Sequence, residues 1–153
     1  MATYRGAMTS REPPARARVI AAVAVAAVVS GAPSTAHAFG TGRDPLAATR
    51  AAASLAGLPT DRAVLSVLSG GAVHVVVSCL WGTVLVATLP AGRRGRWGLV
   101  AGALIWVLDL GIIARVTRRV AIMSLPQVPQ LADHLAFAGT VGVLLDRWTA
   151  DRH

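Results

Sequence analysis

The chain has no lysine: all fifteen of its basic residues are arginine, set against seven acidic residues. That exclusive usage reads as the codon bias of a GC-rich genome rather than as a functional choice. A formal net charge of +8 and an isoelectric point near 11.7 would suit a nucleic-acid binder. Aromatic residues make up only 5% of the chain, and no basic face interleaves with them, so the stacking platform of such a protein is missing. No nucleic-acid partner is expected. Cysteine occurs once, at Cys79 within an apolar run. An intramolecular disulfide is excluded, and apolar surroundings argue against a catalytic thiol. Also absent are HExxH, CxxC, a phosphate-cradling glycine loop and a Ser/His/Asp spacing. No cofactor, no metal and no enzymatic activity are expected.

Charge itself is scarce. Charged residues are 14% of the chain and hydrophobic ones 54%, where soluble domains carry about 25% charged residues. What is present instead is greasy and continuous. Residues 63–92 run for thirty positions without Asp, Glu, Lys or Arg, whereas about 20 apolar residues in a helix cross the ~30 Å hydrocarbon core of a bilayer. The runs show no period-two alternation, which excludes barrel strands, and helices satisfy their backbone groups internally. The expected fold is all-α: a four-transmembrane-helix bundle with a short interfacial helix in the first loop. Spans are expected at about 18–38, 63–89, 97–116 and 131–148, the last being the weakest. They form one membrane domain, 18–148, between a disordered cytoplasmic tail, 1–17, and a short tail, 149–153.

The first apolar run has two readings. Arginines, a short apolar stretch and Ala36-His37-Ala38 resemble a secretory signal with its cleavage site; the same residues also suit a retained span kinked at Gly31 and Pro33. In the loop that follows, Asp44-Pro45 reads as an N-cap followed by proline at the first helical position. The interfacial helix then covers 46–56, stopped by Gly57 and Pro59, and Thr60 and Asp61 cap the second span.

Arginine-rich short loops stay cytoplasmic. Nine arginines (5, 11, 16, 18, 93, 94, 96, 147 and 152) fall on one side of a four-span chain, and six (43, 50, 62, 115, 118 and 119) on the other. The bias predicts both termini inside a bacterial plasma membrane, with Trp97 and Trp148 at the inner interface. The bilayer is the expected partner, and four short helices enclose so little volume that a homo-oligomer is expected for any transport role.

Helix association in lipid rests on close packing and polar contacts. Gly98 and Gly102 make a GxxxG on the third span, Ser78 and Gly82 a small-xxx-small on the second, and Ala138 and Gly142 another on the fourth. Helical spacing puts Gly71, His74, Ser78, Trp81 and Gly82 on one face, and Gly98, Gly102, Ile105 and Asp109 on another. Both stripes are expected to face the bundle interior. A carboxylate inside a span costs about 2.5–3.5 kcal/mol on insertion scales, so Asp109 needs a partner or a proton. Under this topology Asp109, Asp133 and His134 fall in the outer half and His74 close to mid-depth, and the four form the candidate polar cluster. Three readings compete: a structural lock, with Asp133 capping the fourth helix; a proton- or ion-linked transport site; and a metal-dependent membrane enzyme. The primary expectation is a non-enzymatic integral membrane protein, with Trp81 and Trp106 as packing residues.

Four segments carry a resemblance: SGAPSTAHAFGTGRDPLAATRAA (30–52), AVHVVVSCLWGTVL (72–85), IWVLDLGI (105–112) and LPQVPQLADHLAFAGTVGVLL (125–145). They resemble small four-helix membrane proteins of actinobacteria and, more distantly, the YagU-like inner-membrane family. The resemblance implies that the first run is retained. It also implies that His74, Asp109, Asp133 and His134 are the recurring polar positions. Ala138 after Phe137 departs from the pattern, which has glycine there. The family implies architecture rather than an activity.

Overall fold

The computed structural model describes residues 15–57 and 62–150, the last two by backbone alone. Among them there is no strand, and four helices are long and apolar enough to cross a membrane: Ala15–Gly40, Ala63–Thr88, Arg94–Val116 and Gln127–Trp148. Most of the expected tail, together with Pro59, Thr60 and Asp61, lies outside the described residues. Ala15, Arg16 and Ala17, assigned to that tail from the sequence, are already helical.

The first long helix is two pieces, α1 (Ala15–Ser30) and α2 (Ala32–Gly40). They break at Gly31, because Pro33 has no N–H to continue the ladder. α3 (Ala47–Ala53) and a 3₁₀ turn (Ser54–Ala56) follow, ended by Gly57 at φ +70°. Asp44 does not sit at the N-cap of α3; its Oδ1 accepts the Leu46 N–H at 2.9 Å one turn earlier, and its carboxylate pairs with Arg50. α4 (Ala63–Thr88) is unbroken until Leu89, which the following Pro90 holds extended. Four of its hydroxyls hide in the helix's own ladder: Ser66 donates to the Ala63 carbonyl at 3.0 Å, Ser69 to Leu65 at 2.7 Å, Thr83 to Cys79 at 2.8 Å and Thr88 to Val84 at 2.7 Å. Such back-bonding satisfies these four hydroxyls without water.

α5 (Arg94–Trp106) runs through a π-helical turn, Val107–Ile113, into α6 (Ala114–Val116). A short α7 (Val120–Met123) leads to α8 (Gln127–Ala150). α8 starts at Gln127 rather than near Leu131, so Pro129 lies in its first turn, where a missing N–H costs nothing. α8 is the central helix, with half of its span buried against 17% in each of the others. Its weaker hydropathy follows, since protein rather than solvent surrounds it.

Small residues set the packing. α5 and α8 share the most extensive contact. A Cβ on Gly98 would strike the Ala138 carbonyl, one on Gly142 the Arg94 carbonyl, and one on Gly102 would sit 2.6 Å from the His134 carbonyl. One on Gly82 would sit 2.6 Å from the Val23 side chain of α1, and Ser78 is buried. Gly71 does not join this pattern: nothing lies within 4 Å of its Cβ position. Its neighbour Gly70 is the contact residue, with the Thr49 backbone of α3 against it. The helix expected at the surface is thus packed onto α4, with Ala51 and Ala53 buried, about 10 Å along the axis from the start of α4.

Candidate functional site

Where α3 crosses α4, and where α1 breaks, the bundle forms a half-open cavity of about 330 Å³. His74, Asp109, Asp133 and His134 all line it, with Ser30, Ser34 and Thr49 among the other polar groups. α3 covers it through Ala48, Thr49 and Ala52, with Pro45 from the turn before it. On the side away from α3, Phe137 and Ile105 join Ala22, Ala26, Leu85 and Val141 in a dry core. The cavity is a chamber at one end of the bundle, with this apolar cluster packed beneath it.

The four polar residues divide into two pairs with different work. His74 and Asp133 hold the two sides of the helix break. His74 Nε2 lies 2.9 Å from the Ala27 carbonyl and 3.5 Å from Ser30 Oγ, in the last turn of α1. A carbonyl accepts, so Nε2 carries the proton and donates. Across the break, Asp133 Oδ1 accepts the Ser34 N–H at 2.9 Å, in the first turn of α2. A donor thus meets the carbonyl end of one helix and a carboxylate the amide end of the next, as the helix dipoles favour. Asp133 does not cap its own helix: α8 begins six residues earlier, and the carboxylate serves α2. Asp146, thirteen residues further along α8, does the same for α5. Its two oxygens accept the Gly92 and Gly95 N–H groups, each at 3.2 Å.

The second pair is Asp109 and His134. Asp109 lies in the π turn, where an extra residue per turn shifts the side chains relative to a regular α-helix, a feature frequent at functional sites. Asp109 Oδ2 accepts the Trp81 Nε1–H at 3.0 Å. The same oxygen lies 3.6 Å from His134 Nε2. The other ring nitrogen of His134, Nδ1, is 2.7 Å from the Gln130 carbonyl of its own helix. That carbonyl can only accept, so Nδ1 carries a proton. Nε2 then faces the carboxylate. If both were unprotonated, a lone pair would face an anion.

Several of these roles are not legible in the residue pattern. Trp81, expected to pack, is a hydrogen-bond donor to the carboxylate; its place seven residues after His74, two helical turns on the same face, was the available signal. Gln130 and the π turn had no signal. Cys79 is exposed on α4, outside the cavity. Among the described residues no three His, Cys, Asp or Glu side chains converge closely enough to hold a metal ion. No known family model, curated protein or solved structure is significantly similar to the chain.

Proposed function

We propose that the chain is a non-enzymatic, multi-pass protein of a bacterial plasma membrane that takes up and releases a proton at the Asp109–His134 pair, as a proton-linked transport subunit. Membrane placement is supported by four long apolar helices and by the exposure of large residues such as Ile20, Val28, Leu68, Val76 and Leu104, each at least 60% exposed. Water would not tolerate such continuous apolar surface; a bilayer solvates it. The arginine bias orients both termini toward the cytoplasm, which puts the chamber in the outer half. Retention of the first run is favoured because α1 supplies Ala22 and Ala26 to the core.

The observation that carries the proton reading is the placement of His134 Nε2 3.6 Å from Asp109 Oδ2, with the other ring nitrogen committed to Gln130. The dry core beneath the chamber means that passage to the other side requires movement or a second copy. Carbonate washing of vesicles tests the placement: the full chain stays with the lipid. The proton role is tested in proteoliposomes carrying an internal pH dye under an imposed gradient. The wild type collapses the gradient, D109N loses at least about tenfold of that rate (about 1.4 kcal/mol or more of barrier), and H74A alters stability more than flux. Wild-type flux equal to that of protein-free vesicles overturns the proton reading and leaves the structural lock.

A further inference from the structure

At the opposite end of the bundle from the chamber lies a second cavity, of about 160 Å³. α1, α4, α5 and α8 each contribute to it. Two arginines line it among apolar walls, Arg18 of α1 and Arg94 of α5. Arg18 is 8% exposed, unusual for arginine, and donates from Nη1 to the Trp148 carbonyl at 3.1 Å. Arg94 is held less completely. Its Nη1 lies 3.9 Å from Asp146 Oδ1, beyond hydrogen-bond reach. Both Nε and Nη1 of Arg94 are enclosed without a hydrogen-bond partner. Asp146 is already committed to the Gly92 and Gly95 amides.

Enclosed guanidinium donors without acceptors are costly unless something supplies oxygens. Guanidinium groups match phosphate oxygens in a fork geometry. The remaining walls, Val19, Val86, Leu145 and the Trp148 ring, are apolar. Trp148 is the residue type enriched where headgroups meet acyl chains. A free anion in water gains nothing from those walls, whereas a lipid lays its glycerol and first methylenes against them.

We propose that the Arg18–Arg94 cavity binds the phosphodiester of an anionic glycerophospholipid, with its acyl chains leaving over Val19 and Val86. Basic pockets between helices on the cytoplasmic side are a known mode of lipid recognition. The site is separate from the Asp109–His134 chamber. It rests on the membrane placement proposed above, which carbonate washing tests on its own.

The test uses the full chain released from nanodiscs of equal parts phosphatidylglycerol and phosphatidylcholine, with the retained lipid read by native mass spectrometry. The wild type keeps one phosphatidylglycerol per chain and little phosphatidylcholine. R94Q lowers that retention at least about tenfold. R96Q, whose side chain is exposed and outside the cavity, leaves it unchanged. If R94Q does not fold, R94K takes its place; it keeps the charge, loses the fork and lowers retention by a smaller factor. Equal retention of the two lipids by the wild type overturns the proposal. So does equal loss in R94Q and R96Q, which would mean diffuse attraction to a basic surface. Inorganic phosphate alone raising the melting temperature as much as phosphatidylglycerol would assign the cavity to a free anion and overturn the lipid.

Discussion

Gly102→Ala and Gly71→Ala are the same chemical change, in helices of similar composition, and the packing gives them opposite signs. At Gly102 the added methyl would sit 2.6 Å from the His134 carbonyl oxygen and 3.0 Å from the carbonyl carbon and Leu135 Cα. Ordinary contact begins at 3.4 Å, so the surfaces must part by about 0.8 Å there. All three atoms are backbone, so no rotamer change relieves them, and α5 must move from α8. Overpacking of this kind costs about 1–3 kcal/mol. Alanine regains about 0.5–1 kcal/mol of helix propensity over glycine. At Gly71 nothing lies within 4 Å, so only that gain remains. The propensity term is common to both variants, so their difference is the overpacking term itself, about 1–3 kcal/mol. SDS titration of the purified full-length protein in mixed micelles, followed by far-ultraviolet circular dichroism, reads it directly. G71A should unfold at higher SDS than the wild type and G102A at lower. The reasoning fails if G102A unfolds together with G71A or after it. Because the strained contact is the His134 turn, G102A should also impair proton flux, while G71A should not.

Asp133→Ala leaves the Ser34 N–H without its acceptor, and should cost about 0.5–2 kcal/mol, as lost helix caps do. Hydrogen exchange at the Ser34 amide should accelerate, and unchanged exchange would contradict the capping role. Arg118 closes α6 at φ 54°, with Arg119 N–H on the Ala114 carbonyl at 2.8 Å and Arg118 N–H on the Arg115 carbonyl at 3.1 Å. This is a helix end that glycine ordinarily occupies. Arg118→Gly should therefore stabilise by about 1 kcal/mol, the left-handed penalty removed, and a lower unfolding midpoint would refute it. Cys79, exposed in the middle of α4, should resist a charged water-soluble maleimide in intact vesicles and react once SDS is added. Rapid labelling without detergent would mean that water, not lipid, covers this face.

Much of the architecture was legible because charge and proline mark helix ends in an apolar chain. Asp109 stood out as a carboxylate that its surroundings could not leave alone, and helical spacing put it on the Gly98–Gly102 stripe. Gly71 shows where spacing fails. Gly70 and Gly71 differ by one helical step, and only the position of α3 decides which of the two is contacted. The same holds for Asp133. Its place near a helix start suggested a local cap, yet its acceptor role lies 99 residues away, at Ser34. Trp81 and Gln130 carry no local signature of their roles, since a tryptophan N–H and a backbone carbonyl acquire meaning only from what faces them.

By itself the sequence determined that the described chain is helical and that it carries four long apolar helices. Those properties depend on neighbours along the chain: hydropathy over a window, proline without an N–H, glycine free to adopt positive φ. The tertiary structure alone decided that α8 lies at the centre, that α3 folds over a chamber, and that His74 and Asp133 secure a helix break while Asp109 and His134 face each other. Hydrogen-bond partners and carbonyl contacts depend on distances of a few tenths of an ångström between remote segments, and no periodicity along the chain encodes them.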